Sequence, residues 1–325
     1  MSSKSLFNTT LIKKDLKILS PILYINIIYL IFSYPFRYTQ AIIQLKNTAF
    51  NFYSFENLKS SEIFIVGSFF SALIAFLCAI ILFANEKNKK TIEILSVAPF
   101  SRKQIYINKI ITGLLVSIVP MIIIYMITYF IISTEPLLSS VLDLQYFRFY
   151  MYVCVLISLV VFSYFIMLSM LFGSVISTFI CGSIFAFLPL GFFLLLDELV
   201  NIPEKLIDFS AKFTPMMAQA FSIIYRNTNI WSLLIYSIIF LLAGYFLFEM
   251  YKMEKNSEFL TFKWTEPVFK IGVFLCSAVL GANIMKVMLY DISRFETMNE
   301  ILGFIVGGVL GYFIPKAIIS RNKVA

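Results

Sequence analysis

The chain has 325 residues, a formal charge of +8 and no histidine. Sixty per cent of its residues are apolar and fourteen per cent charged, and its mean hydropathy is +0.89. Such values exclude a water-soluble domain, whose surface would have to be far more polar, and make lipid the solvent. Cys78, Cys154, Cys181 and Cys276 all fall in apolar stretches, the pattern of buried thiols rather than of a disulfide framework or a zinc site.

A membrane-spanning helix needs roughly 20 apolar residues. In chain order this predicts spans over 18–36, 63–84, 105–132, 149–172, 175–196, 230–250, 270–290 and 300–319. Lys13, Lys14 and Lys17 precede the first span with no small-residue cleavage pattern after it, which predicts a signal anchor. Residues 149–196 run for 48 positions without a charge, too long for one crossing, and Gly173-Ser174 is the expected break. The last two spans have short uncharged cores and require Lys286 and Lys316 to reach toward the interfaces. Gly303, Gly307 and Gly311 recur every fourth residue on the last span and predict a closely packed helix face.

Cytoplasmic loops retain lysine and arginine. With both ends inside, 17 of the 26 basic residues fall in inner segments, among them Lys13, Lys14, Lys17, Lys87, Arg102, Lys103 and Lys109. The positive charge therefore reads as topology and contact with anionic lipid, and no nucleic-acid partner is expected.

The spans also exclude chemistries. The first six carry no ionisable residue at mid-depth for a proton or sodium relay, and Pro120 and Pro189 read as kinks. Without histidine there is neither a serine–histidine arrangement nor a zinc helix, so no catalytic or metal-binding residue is expected. No G-x-x-x-x-G-K-[ST] loop is present, so this chain is expected to bind no nucleotide cofactor itself.

The segment over 85–104, between spans two and three, can form a short cytoplasmic helix over Thr91 to Ser96 that Pro99 terminates. On the residues alone two readings stay open: a partner-binding helix, or a solvated charged loop that only sets topology. The pattern Glu86, Lys90-Thr91, Glu93, Leu95, Pro99, Ser101-Arg102 and Lys109 resembles the signature of ABC type-2 permeases. In those proteins an acidic residue, a Gly-Thr-x-Glu stretch and a Pro-x-Ser-Arg turn form the coupling helix that docks on the ATPase. Lys90 departs from the pattern, standing where glycine is common.

The resemblance covers about residues 5–251 and implies an all-α polytopic fold: a six-helix core with an N-terminal elbow helix over 5–20, the coupling segment over 85–104 and outer re-entrant helices over 199–224. In the elbow helix Leu6, Leu11, Leu16 and Leu19 would face lipid and the lysines water. Residues 252–325 would add a cytoplasmic linker and a C-terminal transmembrane hairpin. The linker from Glu258 to Lys270 is similar to that of a Firmicutes subgroup containing Ytr-like permeases and exporters of phenol-soluble modulin peptides. The resemblance implies a multi-pass bacterial plasma-membrane permease that dimerises with itself or a paralogue. It would bind two P-loop ATPase subunits, which hold ATP and magnesium, through Glu86, Thr91, Glu93, Leu95, Pro99, Ser101 and Arg102, and would export an amphipathic or hydrophobic substrate such as a peptide toxin or antimicrobial. No substrate-contacting residue is singled out. The competing classes are an ATP-independent transporter or channel and a membrane-embedded scaffold or sensor.

Overall fold

The computed structural model describes residues 7–47, 61–88, 100–136, 144–214, 230–251, 259–289 and 296–321. Eight of the described helices are long and apolar enough to cross a membrane: Thr9–Ile43, Phe69–Lys87, Arg102–Thr134, Phe147–Leu171, Val175–Val200, Trp231–Met250, Thr265–Met288 and Thr297–Ser320. They are called spans one to eight, and the lysine-rich end of the bundle is called its inner end. Among the described residues the chain is otherwise a short helix, turns and one isolated β-bridge.

Span one is α1 (Thr9–Ile31), which passes through a π-helical turn (Phe32–Phe36) into α2 (Arg37–Asn47). Pro35 lies within that turn and has no N–H to give the preceding one. The amphipathic segment expected over 5–20 is not a separate elbow where it is described. It continues without a break through Pro21 into the span, and Leu11 and Leu19 are buried in the protein instead of facing lipid. The cause is the face formed by Leu11, Asp15, Leu19, Ile22, Asn26 and Leu30, which recur at helical spacing and pack against span three.

Span two comprises α3 (Ser61–Ala79), a π-helical turn (Ile80–Ala84) and α4 (Asn85–Asn88). Span three divides into α5 (Arg102–Ser117) and α6 (Val119–Thr134). The division follows from Pro120: without an N–H it cannot bond the Val116 carbonyl four residues earlier, and its ring crowds that turn. Buried Asn26 fills the gap, its Nδ2 donating to Val116 O at 3.0 Å and Ser117 O at 3.4 Å. Pro120 is thus a kink whose freed acceptors are met from span one.

Span four, within α7 (Leu144–Leu171), is the centre of the bundle, packed on span two and on α10 (Ile230–Met250), which is span six. Val153, Cys154, Ile157, Val161, Phe162 and Phe165 are all buried, and Ser158, Ser163 and Ser169 satisfy their hydroxyls on carbonyls of their own helix. The chain then breaks at Phe172 to Ser174. Ser174 caps α8 (Val175–Val200, span five) through a capping box with Ser177.

α8 ends in a left-handed residue, Asn201 at φ 50°, a conformation that asparagine tolerates better than most side chains. The reversal leads into α9 (Glu204–Phe213), whose last turn comes back to span five: Thr214 Oγ1 accepts the Leu190 N–H at 3.0 Å. Leu190 lies ten residues inside the end of α8, about 15 Å along its axis at 1.5 Å per residue. α9 therefore folds back into the layer occupied by the spans.

Spans seven and eight, α11 (Thr265–Met288) and α12 (Glu296–Arg321), form a closely packed pair. A Cβ at Gly307 or Gly311 would collide with Ser277, and one at Gly303 with the Gly281 carbonyl. Outward of this contact Lys286 pairs with Glu300 at 2.9 Å and donates to Glu198 O at 2.8 Å, while Asn283 Nδ2 donates to Leu195 O at 2.8 Å. The pair is thereby fastened to the outer end of span five. At the inner end Thr261 N–H donates to Leu171 O at 2.9 Å, within the bridge between Phe172 and Leu260. Between these two attachments an apolar cavity of about 280 Å³ separates span five from span seven, lined by Cys181, Phe185, Phe269 and Cys276 among others.

Asn26→Leu should lower stability by about 1 kcal/mol, the scale of interhelical hydrogen bonds in membrane proteins, read as a lower thermal midpoint in detergent. Gly307→Leu should cost about 1–3 kcal/mol by overpacking and lower the midpoint in the same assay. Gly272→Ala, where an added Cβ meets nothing within 4 Å, should leave it unchanged.

Candidate coupling site

Two consecutive residues at the end of span two, Glu86 and Lys87, project about 100° apart, as neighbours on a helix must. Both are buried, in different surroundings. Glu86 lies between two lysines: its Oε2 is 2.6 Å from Lys109 Nζ on α5 and its Oε1 2.8 Å from Lys14 Nζ on α1. Asp15 Oδ2 is 3.8 Å from the same Lys109 Nζ. Lys109 also donates to Leu82 O at 2.8 Å, within the π-helical turn that precedes Glu86.

The side chains of Lys109, Asp15 and Glu86 are 2%, 4% and 6% exposed, and Lys14 lies at the rim. A charge so buried is tolerated only when it is paired and hydrogen-bonded. Here two carboxylates and two ammonium groups sum to zero, on helices from spans one, two and three. The group therefore holds together the three inner helix ends that surround the start of the 85–104 segment.

Lys87 takes a second role. It is fully buried, and its Nζ donates to Ser169 O at 2.7 Å, Met170 O at 3.3 Å and Phe172 O at 3.4 Å, while lying 4.2 Å from the centre of the Tyr251 ring. The last carbonyls of a helix have no intrahelical donor and carry the negative end of its dipole, so a cation is the natural partner there. With Leu171 O taken by Thr261 N–H, the four carbonyls from Ser169 to Phe172 are all satisfied.

On the other flank Ser101 is the N-cap of α5. Its Oγ accepts the Gln104 N–H at 3.2 Å, and its own N–H donates to Gln104 Oε1 at 3.0 Å. Arg102 follows, and its Nη1 donates to Glu249 O at 2.6 Å and Tyr251 O at 3.1 Å, at the inner end of span six. Thr91, Glu93, Leu95 and Pro99, the middle of the expected site, lie outside the described residues, as does the helix expected over Thr91 to Ser96. The three described members, Glu86, Ser101 and Arg102, all bond within this chain and hold the two flanks of the segment.

Lys14, Asp15, Lys87 and Tyr251 belong to this site although sequence reasoning did not select them. The lysines counted there only as topological charge. The one available signal was Asp15, an acid set among Lys13, Lys14 and Lys17 on the same helix face as buried leucines.

Eight apolar helices, three of them joined at their inner ends by paired charge, define a multi-pass membrane protein. The model of the ABC-2 family transporter proteins matches residues 10–253, three quarters of the chain, and the chain belongs to that family. It is accordingly a membrane permease subunit of an ABC transporter, not itself the catalyst, and ATPase subunits are the kind of partner the family takes. No curated protein and no solved structure matches the chain significantly.

Glu86→Gln leaves Lys109 buried with a surplus positive charge, and Lys109→Met leaves a surplus negative one. Each should cost about 3–5 kcal/mol. The double variant, neutral again, should be destabilised by clearly less than the sum, as measured by a double-mutant cycle on unfolding in detergent.

Proposed function

We propose that this chain forms the translocation path of an ATP-driven exporter in a bacterial plasma membrane, and that residues 89–99 are its contact with a separate P-loop ATPase subunit that holds ATP and magnesium. Thr91, Glu93, Leu95 and Pro99 make that contact, and Glu86, Ser101 and Arg102 set the position from which it is made. The observation that carries this reading is the anchoring of both flanks: the chain enters the segment from the ion-paired Glu86 and leaves it through capped Ser101 and bonded Arg102. A loop that only set topology would need no such frame.

The working unit has two permease copies, or one copy and a paralogue, with two ATPase subunits in a lipid bilayer. Closure of the ATPases displaces the segment, and the cavity between the two permeases opens outward. Its cargo is an amphipathic or hydrophobic molecule, a peptide toxin or antimicrobial, as in the permeases similar to the Ytr type and the phenol-soluble modulin exporters. The attached hairpin after residue 252 supports that subgroup.

The test is affinity purification in mild detergent with mass spectrometry of the co-eluting proteins. The wild type should bring down a P-loop ATPase in equal amount, and Glu93→Ala should lose it together with export while inserting normally. An absence of ATPase in every detergent would instead favour an ATP-independent transporter, channel or scaffold.

A further inference from the structure

Lys87 and Arg102, which flank residues 89–99, have their acceptors on other spans. Lys87, before the segment, holds the terminal carbonyls of span four. Arg102, after it, holds those of span six. The two holds meet at one residue: the Tyr251 ring lies under Lys87 Nζ, and the Tyr251 carbonyl accepts Arg102 Nη1. Spans four and six are themselves packed on each other, with Tyr164 against Phe240 and the Tyr106 hydroxyl donating to Leu241 O at 2.7 Å beside them.

We propose that Lys87 and Arg102 are positioning residues that make spans four and six, as a pair, follow any displacement of residues 89–99. The inference rests on the reading of that segment as the ATPase contact, and it goes further by naming the spans that respond.

The physical reason is the cost of the alternative. Covalent continuity obliges only spans two and three to move with the segment. For span four to stay behind, Lys87 would have to leave three carbonyls and an aromatic face inside a water-poor site, stranding both a buried amine without acceptors and the helix end. For span six to stay behind, the last turn of α10 would lose the guanidinium that satisfies Glu249 O and Tyr251 O. Carrying the pair along breaks none of these bonds. Both contacts are short, so they transmit displacement with little slack.

Span four also carries the inner attachment of the C-terminal pair, since Thr261 bonds Leu171 O between the carbonyls held by Lys87. A shift of span four is therefore felt by the linker to span seven as well.

The experiment uses the full complex with its ATPase in nanodiscs. The four native cysteines are replaced, and Met250→Cys, at the exposed inner end of span six, carries an environment-sensitive fluorophore. Trapping with ATP and vanadate should shift its emission in the otherwise wild-type permease. Lys87→Met and Arg102→Met should abolish the shift and export, with the ATPase still co-eluting with Lys87→Met. Arg102→Lys, which keeps a donor for the two carbonyls, should restore both. If Lys87→Met is not monodisperse, the Arg102→Met and Arg102→Lys pair decides the matter, because that side chain sits at an exposed helix start. A full shift in the methionine variants overturns the proposal while leaving the ATPase contact standing. Absence of any ATPase from the wild-type preparation overturns both.

Discussion

Inside a bilayer no water is available to a backbone carbonyl that its own helix leaves unbonded, and much of this structure answers that constraint. Each helix ends with carbonyls that lack an intrahelical donor, and a proline beyond the first turn of a helix creates one more. The chain meets these acceptors with side chains from other spans: Asn26 at the Pro120 kink, Lys87 at the end of span four, Arg102 at the end of span six, Asn283 and Lys286 at the end of span five. In each case a local deficit is met by a distant donor, so the bond that repairs one helix also fixes its distance from another. Apolar packing alone would not do this, because lipid tails compete for the same surfaces.

The inner end adds charge to this scheme. Glu86, Asp15, Lys14 and Lys109 compensate one another across spans one to three, while Lys87 and Arg102 are set against helix termini. Among the described residues Glu86, Lys87 and Arg102 are thus bonded to other spans, so that both flanks of the 85–104 segment are anchored, while Lys103 turns outward. A rigid frame is what a segment needs if force applied to its middle is to reach the spans instead of being absorbed by its ends.

The C-terminal pair lies outside the matched region but is built onto it. The glycine face of span eight allows close approach to span seven, and span seven is then fastened to span five at its outer end and, through the linker, to span four at the inner one. Span five is consequently held by α9 returning to Leu190 and by span seven, with an apolar cavity between span five and span seven.

The sequence by itself determined the class, the number of spans, the break at Gly173-Ser174 and the tight face of the last helix, because each depends on runs of residue type along one segment. It also marked Glu86, Ser101 and Arg102 through a local motif. Only the tertiary structure decided what Glu86 and Arg102 bond to, since Lys14, Lys109 and the Glu249 and Tyr251 carbonyls come from other spans, up to 149 residues away in the chain for Tyr251. The same holds for the lysines. Along the chain Lys87 and Lys103 are equivalent inner charges, and a positive charge near the end of a span says nothing of where it points. Lys87 is fully buried because a helix terminus with unbonded carbonyls stands opposite it, and Lys103 is exposed because its place on the first turn of α5 turns it outward. The elbow shows the same limit: leucines at helical spacing define a face, and only packing decided that it meets protein instead of lipid.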